Sequence, residues 1–446
     1  MARLIGANVV EELIYVSAAT LARAIREKEL SAHEVVEAHL RRIEEVNPKL
    51  NAVAQLTAKT ALSEAAEADD AIARGEILGP LHGVPFTVKD WIETAGVICA
   101  AGSLERKGYV PRHDATVVVR VRAAGGIMLA KTIDGHDNAV YGHANNPYDL
   151  TRTPGGSSSG EAALIATGGS PIGLGSDSGG SIRYPAHCCG IAGLKPTNGR
   201  VPLSGHFPRI NALSDQRTQI GPMARYIEDV ALILPIISGP DHRDPSVIPM
   251  PLGDWEAVSL KNLRIATFTE FTGASATTET VNAVHSVARA LAEIGAQIEE
   301  AVPPRIDESI AITRAYWRRV QSYSWGEWRP SRPAHSLTAE EIERSIFDWD
   351  RLRRAFSGFM QIYDAIVCPV ASSPAGHGSA TEEDFIYTLP FSLTGYPCVA
   401  VRAGTSPEGL PIGVQVVARP WRDDIALRLA GEIERSAGWT RPPLPL

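Results

Sequence analysis

The sequence predicts an α/β fold: one domain over residues 1–446, with a large, mixed, mostly parallel β-sheet core covered by helices on both faces. Three observations carry this. A strand, an amphipathic helix and a second strand follow one another between Leu263 and Ile298, the order of a crossover unit. Short apolar runs bounded by glycine, such as Ile127-Met128-Leu129-Ala130, recur between helical stretches. No low-complexity linker and no internal repeat divides the chain.

The elements follow in order. Residues 1–75 read as helices. Ser31-Ala32-His33-Glu34 has the form of a capping box, and Val36, Leu40 and Ile43 continue at helical spacing. Ala61 to Arg74, rich in Ala and Glu, is a further helix. From residue 79 to about 200 the texture changes to dense Gly and Ser, a composition that lets backbone approach a ligand closely. Leu263 to Phe268 is a strand, and Val281, Val284, Val287, Leu291 and Ile294 mark a helix ending at Gly295. Pro235 interrupts an otherwise helical run from Val230 to Ile237. Late strands fall at Ala365–Cys368, Cys398–Val401 and Gly413–Val417, before a helix from about Asp424 to Arg435.

Composition bounds the function. With 44% hydrophobic and 21% charged residues the chain is of ordinary globular type. The formal net charge is −8, without a Lys/Arg stripe, so no nucleic-acid partner and no anionic membrane surface is expected. No apolar run reaches the roughly 18 residues of a membrane span, and residues 1–16 lack a signal-peptide core. Cys99, Cys188, Cys189, Cys368 and Cys398 lack metal-ligand spacing, so free thiols, a cytoplasmic location and no metal are expected.

The candidate chemistry lies in Gly83-Val84-Pro85-Phe86-Thr87-Val88-Lys89-Asp90, in Pro154-Gly155-Gly156-Ser157-Ser158-Ser159-Gly160-Glu161 and in Asp177-Ser178-Gly179-Gly180-Ser181-Ile182-Arg183. Gly156-Ser157-Ser158-Ser159-Gly160 fits a G-x-S-x-G elbow, but Leu150 to Pro154 is not the apolar strand that motif requires. Asp177-Ser178-Gly179-Gly180 imitates a trypsin-like segment, yet His187 follows the serines instead of preceding them by a long interval. No P-loop pattern occurs.

Taken together, these segments closely resemble the amidase signature family, in its fatty-acid-amide-hydrolase-like bacterial branch. The likeness continues through Cys189-Gly190, Gly193-Leu194-Lys195-Pro196-Thr197, Gly221-Pro222-Met223-Ala224-Arg225 and Pro411-Ile412-Gly413-Val414-Gln415, over nearly the whole chain. It implies an amidase that hydrolyses a carboxylic amide through an acyl-enzyme, with no cofactor. It implies Ser181 as nucleophile, Ser157 as relay after a cis peptide bond, and Lys89 as base. A lysine accepts a proton only when neutral, so burial must lower its proton affinity, and Val84, Phe86 and Val88 are apolar neighbours. Backbone amides of Ser178, Gly179, Gly180 and Ser181 would form an oxyanion hole, with Asp177, Arg183 and Ser158 in support. Asp177 and Arg183 read equally as a structural ion pair.

Residues 305–360 are aromatic-rich and without a motif. They read as core packing or as a substrate wall, for which Tyr316, Trp317 and Trp325 are the candidates. The expected partner is a small-molecule amide, leaning toward a hydrophobic acyl or aryl group; a homodimer stays open. Departures from the family pattern are Ser159, where glycine is frequent, and Ser392, where asparagine is common. Two other readings stand beside this one: a glutaminase (A-type) subunit of a tRNA-dependent amidotransferase, and a catalytically inactive binding protein on the same fold.

Overall fold

The computed structural model describes residues 12–135, 138–210, 215–318 and 337–444. The chain opens with helices Ala18–Arg26, Ala32–Leu50 and Ala58–Ala73. The second begins in the expected capping box: Glu34 N–H donates to Ser31 Oγ at 3.0 Å, and Ser31 N–H donates to the Glu34 carboxylate at 2.8 Å. Residues 1–11 of the predicted helical segment lie outside the described residues.

Among the described residues thirteen strands follow in chain order. They are β1 (Val53–Leu56), β2 (Pro85–Lys89), β3 (Ile127–Thr132), β4 (Ile172–Asp177), β5 (Ala192–Lys195), β6 (Gln219–Ala224) and β7 (Arg264–Thr267), then β8 (Glu270–Phe271), β9 (Ala274–Ser275), β10 (Gln297–Glu300), β11 (Ala365–Pro369), β12 (Cys398–Thr405) and β13 (Pro411–Ala418). Apart from the small β8–β9 hairpin they form one sheet of eleven strands, ordered β1-β3-β2-β4-β6-β5-β12-β13-β11-β7-β10. The sheet is mixed, as expected, with parallel pairing gathered in two flanking blocks, β3-β2-β4 and β11-β7-β10. The centre and the β1 edge pair antiparallel. Both parallel blocks are built by crossover helices: Thr116–Ala123 joins β2 to β3, and Thr278–Glu293 joins β7 to β10.

Strand alternation shows that both faces are covered. Ala365 and Val367 of β11 belong to one apolar cluster, whereas Ile366 and Cys368 belong to the other. The larger cluster includes Val284, Val287 and Leu291 of the helix after β9, and Leu427 and Leu429 of the last helix, Asp423–Ala437. The smaller takes Trp349, Leu352, Phe356 and Met360 from the helix Ala339–Ile362. That assigns most of the described aromatic stretch to core packing. The helix Ile227–Ile237 continues through Pro235 in its last turn, at the loss of the one i→i−4 bond that this residue cannot donate. All five cysteines are buried and free. No helix among the described residues is long and apolar enough to cross a membrane.

Arg225, next after β6, is buried and joins layers distant in sequence. Its guanidinium donates to the carbonyls of Ile165 and Ser170 at 2.8 Å each, of Ile14 at 2.9 Å and of Val16 at 3.2 Å. Arg225→Met would leave the Ser170, Ile14 and Val16 carbonyls without this donor in a dry setting. It is expected to destabilise the fold by about 3 kcal/mol or more, read as a lower urea midpoint; an unchanged midpoint would remove Arg225 from this role.

Candidate active site

The site is assembled where two parallel strands end side by side. Lys89 is the last residue of β2, Asp177 the last of β4, and the strands are in register through Val88 and Leu174. Alternation on β2 puts Thr87 and Lys89 on the same face. There the helix Ser159–Ala166 presents Glu161, which accepts hydrogen bonds from Thr87 Oγ1 and, at 2.5 Å, from Thr132 Oγ1. Gly173 opposite must lack a side chain, since a Cβ there would run into the Glu161 carboxylate.

Lys89 is wholly buried. Its Nζ lies 2.6 Å from Ser157 Oγ, 3.2 Å from Ser176 Oγ and 3.5 Å from the Ser176 carbonyl oxygen. Ser157 follows a cis peptide bond from Gly156, as expected. Gly155 has φ +78°, and a Cβ there would stand 2.6 Å from Pro185 Cα, so only glycine brings Ser157 under the lysine. Ser159, the first departure, begins the helix with its hydroxyl 3.4 Å from the Ile133 carbonyl oxygen, while the neighbouring Gly160 has Ala52 and Ile133 backbone against it.

Ser181 is brought to the same place through the backbone, Ser158 N–H donating to its carbonyl at 3.1 Å. Among the described residues its half-buried hydroxyl has no hydrogen-bond partner, so the structure joins Lys89 to Ser157 directly and Ser181 only by proximity of its segment. Ser158 itself is buried, its hydroxyl 3.4 Å from the Ser176 carbonyl oxygen, and supports the backbone alone.

Asp177 and Arg183 form a buried, two-pronged ion pair, Nε and Nη2 each donating at 3.0 Å. Arg183 also donates to the Thr388 carbonyl at 3.0 Å, Gln415 Oε1 at 3.1 Å and Ser392 Oγ at 2.7 Å. Ser392, the second departure, thus anchors the arginine. The Asp177 carboxylate also accepts from Gly180 N–H at 2.8 Å. The Gly180 amide, one of the four expected oxyanion donors, is therefore already committed to Asp177. Thr388, which no motif indicated, donates through Oγ1 to the Gly179 carbonyl at 2.5 Å and fills the space a Gly180 side chain would need.

Of the aromatic candidates, Trp317 is half-exposed, with Cζ2 3.7 Å from where a Cβ on Gly179 would lie. Tyr316 is buried, its ring meeting the Arg217 guanidinium at 3.5 Å and packing edge-on with Trp349 at 5.8 Å, the packing reading of this stretch. Trp325 lies outside the described residues, as do Tyr323 and Trp328. Arg217, missed in the sequence, donates to Ser178 Oγ at 3.0 Å. Among the described residues no cluster of His, Cys, Asp or Glu is disposed to hold a metal ion.

Electrostatics follow burial. Desolvation pulls the Lys89 amine down to about 8, although the carboxyl groups of Asp134, Asp177 and Glu161 act the other way. Burial raises Glu161 to about 7, opposed by the threonine hydroxyls that hydrogen-bond it. Burial also works upward on Asp177, but Arg183 outweighs it and holds the carboxyl below its ordinary range.

A family model described as Amidase matches residues 34–325 and 325–427. An acylamidase of Rhodococcus erythropolis is 32% identical, over 96% of this chain and 97% of its own. The A-type subunit of a glutamyl-tRNA(Gln) amidotransferase of Cyanothece sp. is also 32% identical, over 92% of this chain and 96% of its own. Among solved structures, a chain of a vestigial protein complex described as revealing the origins of an s-triazine catabolic enzyme superposes with a TM-score of 0.83 at 28% identity, covering 96% of this chain and all of its own.

If Lys89 must lose its proton before a hydroxyl can hand one over, kcat/KM for an amide should rise tenfold per pH unit below about 8 and level off above it. A profile already flat from pH 6 upward would contradict this. Gly155→Ala should lower kcat/KM by about 100-fold or more, because it displaces Ser157 from the lysine; a folded variant of full activity would show that the seat is not needed.

Proposed function

The chain belongs to the amidase family, and from that premise we propose that it is a stand-alone amidase acting through Lys89, Ser157 and Ser181. The observation that carries the reading is the wholly buried Lys89 amine, 2.6 Å from the Ser157 hydroxyl, at the foot of the segment that bears Ser181. Ser181 Oγ attacks the amide carbonyl while its proton passes to Ser157 Oγ and the Ser157 proton to Lys89 Nζ. The oxyanion is met by the amides of Ser178, Gly179 and Ser181. Collapse breaks the C–N bond, and Ser157 delivers a proton to the leaving nitrogen as Lys89 returns its own. Water then attacks the Ser181 ester, giving up its proton along the same route, and the acid leaves as Ser181 is re-protonated.

The acyl group is read as hydrophobic or aryl. The half-exposed Trp317 indole beside Gly179 supports this, as does likeness to the Rhodococcus acylamidase. A second reading, a glutaminase working with partner chains, has its own support: several relatives at 31–33% identity carry the glutamyl-tRNA(Gln) amidotransferase name. The buried Arg217 cation beside Ser178 favours a more polar acyl part.

One panel separates the readings. The purified chain alone, without ATP or tRNA, is assayed on anilides and aliphatic amides of increasing acyl size, on glutamine, and with Ser181→Ala as control. Turnover of apolar amides at least tenfold above glutamine, lost in Ser181→Ala, is the expected result. Glutamine hydrolysis that appears only with partner chains would transfer the protein to the second reading, and turnover undiminished in Ser181→Ala would remove the mechanism.

A further inference from the structure

Lys89 has a neighbour that the relay does not use. After β2 the chain turns at once, Ile92 N–H donating to the Lys89 carbonyl at 2.9 Å, and the turn carries the Trp91 ring back beneath the amine. Lys89 Nζ stands 4.4 Å from the centre of that ring. The indole is held on its other sides. Its Nε1–H donates to Asp134 Oδ2, the Trp91 carbonyl accepts from Phe207 N–H at 2.8 Å, and the His206 ring meets it edge-on at 5.9 Å. Asp134 is fixed in turn by Asn138, whose Nδ2 donates to Oδ1 at 2.8 Å.

The same short loop holds the relay's other end. Gly135, adjacent to Asp134, donates its N–H to the Ser157 carbonyl at 2.7 Å. A Cβ on Gly135 would stand 3.4 Å from Ser157 Cβ, so the loop passes directly against that residue. The residues after β3 therefore position Ser157 through the backbone and the indole through a carboxylate, with Lys89 between the two.

We propose that Trp91 is a positioning residue of the proton relay: its ring face, fixed by Asp134, seats the Lys89 amine against Ser157 and favours its protonated form. The proposal rests on the reading of Lys89 as the base. The face of an indole is negative, so it attracts an ammonium group and does little for a neutral amine. It thereby opposes the desolvation that drives the proton off and sets where in the pH range the lysine becomes a base. A lysine with too little proton affinity could not return the proton to the leaving nitrogen, and one with too much would never take it.

Other charged groups face the amine as well, and the test must separate their effects. Asp177 comes from β4, Glu161 from the helix Ser159–Ala166 and Asp134 from the loop after β3. His206 is kept neutral by burial, down to about 4, so it carries no charge in the working range. Lys131 on β3 is engaged with Asp90 at 3.8 Å.

The decisive experiment leaves all of these in place. Tryptophans bearing one, two and three ring fluorines are installed at position 91 of the full chain by genetic-code expansion, and kcat/KM for an amide is followed across pH. Fluorination drains the ring face while nearly keeping its shape. The ammonium loses support at each step, so the lysine gives up its proton more readily. The midpoint of the acid limb should move stepwise to lower pH, by about 0.5–1.5 units in all. Trp91→Leu should produce a shift of the same sign, and Trp91→Phe, which keeps a ring face but loses the bond to Asp134, a smaller shift in the same direction. A midpoint unmoved along the fluorine series, or moved upward, overturns the proposal while leaving Lys89 as the base. If the unmodified enzyme lacks an acid limb that Lys89 can explain, the parent reading fails instead.

Discussion

An amine sealed from water at the end of a sheet strand is the constraint around which the rest of this structure is arranged. Lys89 is wholly buried, and a charged ammonium is costly in such a place. Among the described residues nothing pairs it in a close salt bridge; the hydroxyls of Ser157 and Ser176 and the Ser176 carbonyl contact it, with carboxyl groups farther off. A closely paired carboxylate would keep the proton on, and a fully apolar pocket would strip it permanently. The intermediate setting leaves an amine able to change state near neutral pH.

The architecture supplies that setting at the boundary between parallel and antiparallel pairing. β2 is paired on both sides, by β3 and β4, so Lys89 projects from backbone that has little freedom. The glycine-rich segments then approach it from the strand ends. Gly155 lets one loop slide past Pro185, and the small residues at 179 and 180 let the other run against Leu389 and Thr388. A buried ion pair holds the second of these loops from behind, and another holds the chain after β5. Asp177 with Arg183 reaches β13 through Gln415, and Asp423 holds Thr197 and Arg200. The rigidity therefore comes from residues hundreds of positions away in sequence.

The difference between what the sequence disclosed and what it concealed follows from that separation. Local signals were legible: the Ser31–Glu34 cap, the β7–helix–β10 crossover, and the glycine and serine segments carrying Lys89, Ser157 and Ser181. Long-range commitments were not. No spacing rule shows that the Gly180 amide is already given to Asp177, or that Thr388 holds the Gly179 carbonyl. Trp91 stands two residues from Lys89, yet only the turn after β2 reveals which face of its ring meets the amine. Tyr316 shows the reverse: an aromatic residue in a suggestive stretch whose faces are taken by Arg217 and Trp349. The antiparallel centre was equally hidden, because buried strands of either sense read as the same apolar runs.

The mechanism stands on the proton affinity of one amine, which can be measured without any substrate. The enzyme is prepared with lysine carrying carbon-13 at Cε, and the Lys89 signal is assigned by its loss in Lys89→Met. It is then followed by NMR through a pH titration. A buried base predicts a single titration centred near 8, well below that of an exposed lysine. A Lys89 signal that stays in its charged position until about pH 10 or above, the range of an ordinary lysine, would contradict it.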